Sequence, residues 1–285
     1  MSFLGSGGVR LAADVVGDPG GPPAVFFHGA GQTRHAWGAA ADQLAAAGWY
    51  AVAVDLRGHG DSDWPGEGGY GLERFAEDVV AVVGAVGAAP AVVAASLGGM
   101  AVLAAQGRHP DQLFQALVLV DVTPRLELNG VRRVVGFMAA HPDGFASLEE
   151  AGAAIAGYLP ERSRRRELGG LTRVLRQRGD GRWQWRWDPR LLAEMDPAAV
   201  AQRTATLETV LTAAARRVKV PTLVVRGGRS DVISDQGVAH FLDAVPHATP
   251  LTVPDAGHMV AGDRNDAFCG AIVAFLAQHQ AGCRR

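Results

Sequence analysis

Short apolar runs, rich in valine and alanine, alternate with helix-like segments along most of this chain. Such runs are typical of strands buried on both faces, which occur in parallel sheets covered by helices. We therefore predict an α/β fold with a mostly parallel sheet flanked by helices. The predicted strands are AVFFHG (24–29), YAVAVDLRGHG (50–60), AVVAAS (91–96), LFQALVLVDVTP (113–124), PTLVVRGG (221–228) and TPLTVPDAGH (249–258).

A long insertion, residues 125–217, interrupts this alternation. It has no apolar strand run, contains helix-like stretches and carries more arginines than acidic residues. We predict that it is a mainly helical cap on a core formed by residues 1–124 and 218–285. Its three alternating tryptophans, in GRWQWRWDP, either pack the insertion against the core or line an apolar pocket.

Residues able to carry chemistry stand at the ends of the predicted strands, where open parallel sheets bind their ligands. Ser96 precedes two glycines, Asp121 and Asp231 follow later strands, and His258 follows the last one. A serine in an ordinary turn only bonds local backbone, whereas one on a tight strand-to-helix corner projects its oxygen outward. A nucleophile, an acid and a base in this chain order match one known arrangement for serine catalysis.

The chain resembles the α/β-hydrolase superfamily over essentially its whole length, in FFHGAGQTRHAW, VDLRGHGDSDW, AASLGG, LVVRGGRSDVIS and PDAGHMV. Where the family has Gly-x-Ser-x-Gly, this chain has Ala94 at the first small position, which needs little side-chain volume. The resemblance implies a nucleophilic Ser96 with His258 as its base, because a serine hydroxyl is a poor nucleophile on its own. It also implies an oxyanion hole formed by the backbone N–H groups of Ala30 and Leu97.

Two aspartates compete for the role of orienting His258. The family usually places this acid after the penultimate strand, where Asp231 stands, and some relatives place it where Asp121 stands. We expect Asp231, with Asp121 as the alternative. The carboxylate would fix the tautomer of the histidine and stabilise the imidazolium.

Four further side chains are expected near the substrate pocket. His28, Gln32 and Trp37 belong to HGAGQTRHAW after the first predicted strand, and Trp185 belongs to the insertion. In the family, a histidine directly before the oxyanion turn is generally structural, so His28 is not the expected base.

The reaction we predict is cofactor-free hydrolysis of a carboxylic ester, lactone or thioester through an acyl-enzyme on Ser96. A perhydrolase of the haloperoxidase type could use the same triad. A member of this fold could instead bind a small molecule or act as a biosynthetic cyclase. Neither a dinucleotide fingerprint nor a metal-ligand spacing occurs in the sequence, so we predict no cofactor and no metal.

Charge and hydrophobicity along the sequence limit the classes of partner that we expect. A net charge of −2 gives no general attraction to nucleic acid or to an anionic membrane. The uncharged stretch from Val79 to Ser96 is interrupted by glycines and Pro90, which argues against a membrane span. We expect a small-molecule substrate with an apolar acyl or ring portion. The first residues lack the pattern of a secretion signal, so we expect a cytoplasmic location.

Overall fold

The computed structural model describes residues 1–87, 89–158, 168–193, 200–258 and 265–279 of the chain. Strands and helices alternate along most of this part, as the apolar runs predict. The strands are β1 (Ser2–Leu4), β2 (Arg10–Val16), β3 (Pro23–Phe27), β4 (Tyr50–Val54), β5 (Ala91–Ala95), β6 (Ala116–Val120), β7 (Leu175–Gln177), β8 (Trp183–Trp185), β9 (Thr222–Gly227) and β10 (Thr249–Val253).

Helices follow most of the core strands, in agreement with the predicted alternation of apolar runs and helix-like segments. The α-helices are α1 (Gly38–Ala46), α2 (Leu72–Val86), α3 (Ser96–Arg108), α4 (Leu128–Ala139), α5 (Leu148–Tyr158), α6 (Arg190–Ala193), α7 (Val200–Ala215), α8 (Asp235–Ala244) and α9 (Cys269–His279).

Eight of the described strands form one sheet in the order β1-β2-β4-β3-β5-β6-β9-β10. The pairs β1–β2 and β2–β4 are antiparallel, and the remaining neighbours are parallel. The α/β class and the mostly parallel sheet are therefore confirmed. The antiparallel strands β1 and β2 were not predicted, because β1 has three residues and polar residues interrupt the apolar run of β2.

The sheet is buried by helices on both faces. Alternate residues of β3 point to opposite sides, so Val25 and Phe27 share a core with α2 and α3. Ala24 and Phe26 share a second core with α1 and α9. Because the central strands are buried on both faces, their carboxyl ends are the part of the sheet at which side chains can reach a ligand.

The insertion contributes no strand to the large sheet within the described residues. It contains α4 to α7, in agreement with the predicted helical character, and a small antiparallel hairpin of β7 and β8. Its separation as a cap domain with bounds 125–217 stays a prediction. None of the helices in the described residues combines the length and the apolar character needed to cross a membrane.

Candidate active site

Ser96 stands on the corner between β5 and α3. Its φ of 44° lies in the left-handed region, which is uncommon for a residue other than glycine. Such a conformation costs about 1–3 kcal/mol and persists only where the surrounding structure enforces it. Among the described non-glycine residues, Asp121 is the one other residue with a positive φ, at 50°.

Close packing around the corner requires small residues. A Cβ atom at Gly98 would lie 2.7 Å from the carbonyl oxygen of His28 and 2.8 Å from Cβ of Phe27. A Cβ atom at Gly29 would lie 3.2 Å from Cβ of Ser96. The start of α3 therefore packs directly against the end of β3, and Ala94, the second-last residue of β5, is fully buried.

His258 is hydrogen-bonded to Asp121, with 2.6 Å between Nδ1 and Oδ2. Asp121 follows β6 directly and is buried, so its carboxylate needs donors. The N–H of Gly227 donates to Oδ1 at 2.9 Å, and the hydroxyl of Ser230 donates to Oδ2 at 2.7 Å. These two donors thus hold the carboxylate in place against the imidazole.

The expectation that Asp231 orients His258 is wrong for this structure, and the alternative residue Asp121 occupies that place. Asp231 instead forms an ion pair with Arg133 of α4, with 2.9 Å between Oδ2 and Nη1. Two features explain this. Ser230, one residue earlier, turns its hydroxyl toward Asp121. In addition, α4 packs so closely that a Cβ atom at Gly130 would lie 2.0 Å from the carbonyl oxygen of Asp231.

A cavity of about 650 Å³ opens at this edge of the sheet. Ser96, Asp121 and His258 line it together with Ala30 and Leu97, the two expected oxyanion-hole residues. Its walls are otherwise mostly apolar and come from both the core and the insertion. The apolar lining residues include Leu72, Phe75, Met100, Val122, Leu126, Val131, Val134, Val135, Met138, Leu191, Val200, Leu207 and Val232.

The turn that carries Ala30 is held by its own side chains and backbone. The N–H of Gly29 donates to Oε1 of Gln32 at 3.0 Å, and the N–H of Gly31 donates to Nε2 of His59 at 3.1 Å. Ala30 stands between these two residues and faces the cavity. Leu97 is the second residue of α3, where a backbone N–H has no partner within the helix. These backbone positions are suited to receive a developing negative charge.

His28 and His59 are buried and act as acceptors for backbone N–H groups. Nε2 of His28 accepts from the N–H of Leu56 at 3.0 Å, and its Nδ1 lies 2.8 Å from the carbonyl oxygen of Gly29. Burial lowers the pKa of His28 to about 4 and the pKa of His59 to about 3. Both rings are therefore neutral near pH 7 and support the turn.

The four residues expected in the substrate pocket do not line the cavity. His28 and Gln32 are buried and bonded to the backbone of their own turn. Trp37 is fully buried in the core beside α1, with its ring 5.5 Å from that of Phe26. Trp185 stacks on Trp187, with 4.5 Å between the ring centroids. Of the two alternatives given for these tryptophans, this contact favours packing over lining a pocket. In each case the side chain fills the interior instead of facing a ligand.

Sequence reasoning missed the walls that α4 supplies, although the pattern was present. Val131, Val134, Val135 and Met138 all line the cavity. They recur at the spacing of one helix face, which periodicity could have identified. Tyr70 was also missed.

Tyr70 lines the cavity and joins the core to the insertion, because its hydroxyl donates to Oδ2 of the buried Asp188 at 2.6 Å. Burial, and then this carboxylate, raise the pKa of Tyr70. Residues of the insertion at and near Asp188 also form backbone hydrogen bonds with the loop after β4. The N–H of Asp188 donates to the carbonyl oxygen of Gly58, and the N–H of Gly60 donates to that of Arg186.

Comparison with known proteins agrees with this geometry. The model of the alpha/beta hydrolase family matches residues 24–271. The chain belongs to the α/β hydrolase family. This α/β hydrolase is 30% identical over 265 residues to an esterase of Mycobacterium tuberculosis. The aligned region covers 90% of this chain and 83% of the relative.

A second relative of this α/β hydrolase is 2-(acetamidomethylene)succinate hydrolase of Mesorhizobium japonicum. It is 29% identical over 268 residues, covering 94% of this chain and 92% of the relative. The crystal structure of E-2-(acetamidomethylene)succinate hydrolase is similar with a TM-score of 0.76 and 25% identity, covering 97% of this chain and 99% of that one. These relatives are esterases and hydrolases, which supports hydrolase activity for this chain.

Proposed function

We propose that this α/β hydrolase is a serine hydrolase that cleaves a carboxylic ester, lactone or thioester through an acyl-enzyme on Ser96. The observation that carries the proposal is that one cavity is lined both by the candidate nucleophile and by its candidate base. Ser96 stands there on a corner with a positive φ, and His258 stands there hydrogen-bonded to the buried Asp121. Catalytic groups of serine hydrolases are recognised by such geometry and not by sequence position.

The Asp121 contact sets which nitrogen of His258 acts. A carboxylate accepts from an N–H, so Nδ1 carries the proton and Nε2 is the basic nitrogen. As the hydroxyl oxygen of Ser96 attacks the substrate carbonyl, its proton passes to Nε2. Asp121 then stabilises the imidazolium without being protonated.

The tetrahedral intermediate places a negative charge on the former carbonyl oxygen, to which the N–H groups of Ala30 and Leu97 would donate hydrogen bonds. Its collapse breaks the bond to the alcohol or thiol, which leaves with the proton from His258. Water then attacks the acyl-enzyme and gives a proton to the same nitrogen. The second collapse releases the carboxylic acid and returns the proton to Ser96.

A serine-directed fluorophosphonate tests the nucleophile. We expect stoichiometric modification of Ser96, identified by peptide mass spectrometry, and hydrolysis of at least one member of an ester, lactone and thioester panel. Ser96→Ala should abolish both. Ser147→Ala serves as the control, because Ser147 bonds the backbone N–H of Glu150 in the insertion and does not line the cavity.

Two results would contradict the proposal. Modification of a different serine, or of none, would remove Ser96 from the role of nucleophile. Product formation that continues unchanged in Ser96→Ala would indicate a non-hydrolytic use of the cavity.

A further inference from the structure

Outside the reacting groups, the polar lining of the cavity is concentrated on one turn and a half of α7. Gln202, Arg203, Thr204 and Thr206 line the cavity between the apolar residues Val200 and Leu207. Apolar pockets commonly carry a few polar groups that fix the orientation of a ligand. This polar stretch is therefore the part of the wall able to distinguish one end of a substrate from the other.

The two threonine hydroxyls in this stretch are already used. Thr204 donates to the carbonyl oxygen of Val200 at 2.8 Å, and Thr206 donates to that of Gln202 at 3.0 Å. Such bonds to the preceding helical turn are common for threonine and leave no donor for a ligand. The donors that remain are the side chains of Gln202 and Arg203.

Arg203 lies on the cavity side of α7. It is three residues after Val200 and four before Leu207, and residues at these spacings share one helix face. The side chain is exposed, whereas Ser96 is partly buried and His258 buried. Arg203 therefore stands at the mouth of the cavity, and the reacting groups lie deeper.

Within the described residues, the guanidinium of Arg203 has neither a hydrogen bond nor an ion-pair partner. Other arginines of the insertion are paired, for example Arg133 with Asp231, Arg186 with Asp61 and Arg190 with Asp188. Arg203 is also the one arginine or lysine among the described residues that line the cavity. Asp121, the one carboxylate there, is already held by His258.

We propose that Arg203 binds a carboxylate at the end of the substrate remote from the scissile carbonyl. The substrate class would be an ester or thioester with an apolar middle and a terminal carboxylate. A planar guanidinium presents paired donors that match a carboxylate. One cation balances a single negative charge, which favours a carboxylate over a doubly charged phosphate. This inference rests on the proposed function, because it takes the cavity as the substrate site.

Paired substrates test the inference kinetically. One p-nitrophenyl ester carries a terminal carboxylate on its acyl chain, and the other carries the uncharged methyl ester of that carboxylate. The measured quantity is the ratio of kcat/KM for the two substrates within each variant. We expect the wild type to favour the carboxylate about tenfold, since a charge-assisted hydrogen bond to a partly exposed group is of this size. Added salt should reduce the preference.

The variants separate Arg203 from general charge. Arg203→Gln should bring the ratio close to one, mainly through the KM of the charged substrate, because the contact is made equally in the ground state and the transition state. Arg203→Lys should keep part of the preference, since it retains the charge without the planar fork. Arg132→Gln removes the same charge from an exposed position on α4 that does not line the cavity, and it should keep the wild-type ratio.

A binding measurement keeps this inference separate from the hydrolytic mechanism. Calorimetry with Ser96→Ala and the monomethyl ester of a dicarboxylic acid requires no turnover. We expect binding in Ser96→Ala that weakens about tenfold when Arg203→Gln is added. If this binding is observed but the wild type hydrolyses neither ester, the proposed function is overturned while the role of Arg203 stands. Equal affinities in the two proteins, or an equal loss of preference in Arg132→Gln, would overturn the role of Arg203.

Discussion

Ser96 and Asp121 leave neighbouring strands at the same level of the sheet. Ala95 of β5 is paired with Val120 of β6, so Ser96 and Asp121, which directly follow these residues, lie at the same height. Both residues have a positive φ, 44° for Ser96 and 50° for Asp121. Strained positions of this kind cluster at functional sites. The candidate nucleophile and the candidate acid therefore share one local geometry on adjacent strands.

Asp121→Asn should reduce turnover of an activated ester by roughly 10⁴-fold, the loss seen when a triad acid becomes an amide. The amide would not keep the proton on Nδ1 of His258 as the carboxylate does, and it would not stabilise the imidazolium. Asparagine tolerates a positive φ, so the fold should persist. Steady-state kinetics together with thermal unfolding would check both statements.

Asp231→Asn is the matched control for this prediction. It breaks the ion pair with Arg133, in which both side chains are partly exposed, and such pairs contribute about 0–1 kcal/mol to stability. Turnover should change little. A severe loss of turnover in Asp231→Asn with near-normal Asp121→Asn would reverse the roles given to the two acids.

Ser230 is expected to act as a positioning residue for Asp121. Its hydroxyl donates to the same oxygen, Oδ2, that accepts from His258. Ser230→Ala removes that donor, and we expect kcat to fall about tenfold with little change in KM. Ser230→Thr retains a hydroxyl and should restore most of the rate. A rise in KM with unchanged kcat would show instead that Ser230 affects substrate binding.

The sheet and the corner at Ser96 were predictable from sequence because both depend on local patterns. Apolar runs define β3, β5, β6 and β9, and the small residues around Ser96 allow α3 to approach β3. The contact between Asp121 and His258 was not predictable in this way. It depends on the end of β9 and the turn that follows, from which the N–H of Gly227 and the hydroxyl of Ser230 reach Asp121 across more than 100 residues of the chain.

The prediction of the pocket residues was wrong for a related reason. Trp37 and Trp185 are large aromatic residues near predicted loops, but composition does not distinguish a buried tryptophan from one facing a ligand. Trp185 became part of an aromatic cluster with Phe137, Phe145 and Trp187. Only the tertiary arrangement of the insertion assigns the cavity walls to α4 and α7.

Gly98→Ala should disturb the corner at Ser96. The added methyl group would lie within 2.8 Å of backbone and Cβ atoms of β3, which leaves no room without shifting α3. We expect a loss of about 1–3 kcal/mol in the free energy of unfolding, together with a lower kcat. Urea unfolding and ester hydrolysis would measure the two effects.

Gly84→Ala provides the comparison for that variant. Gly84 lies near the end of α2, and a Cβ atom there would meet nothing within 4 Å. Replacing a helical glycine by alanine should raise the free energy of unfolding by about 0.5–1 kcal/mol without affecting turnover. Equal behaviour of the two alanine variants would contradict the packing assigned to Gly98.

The buried histidines predict an acid-sensitive fold. Burial lowers the pKa of His28 to about 4 and that of His59 to about 3, from an ordinary value of 6.5. Between pH 6.5 and these lower values, the unfolded chain binds more protons than the folded chain. The free energy of unfolding should therefore fall as the pH is lowered through this window, and the stability should be fully present above about pH 6.5.

His59→Gln tests this pH dependence directly. Glutamine keeps an acceptor within reach of the N–H of Gly31 but does not titrate. The loss of the contact between Nδ1 and the carbonyl oxygen of Arg57 should lower stability by the same amount at every pH. The slope between about pH 6 and pH 4.5, by contrast, should decrease by about 1.4 kcal/mol per pH unit, the contribution of one titrating group. Urea unfolding across this range measures the slope, and an unchanged slope would mean that His59 does not bind a proton when the chain unfolds.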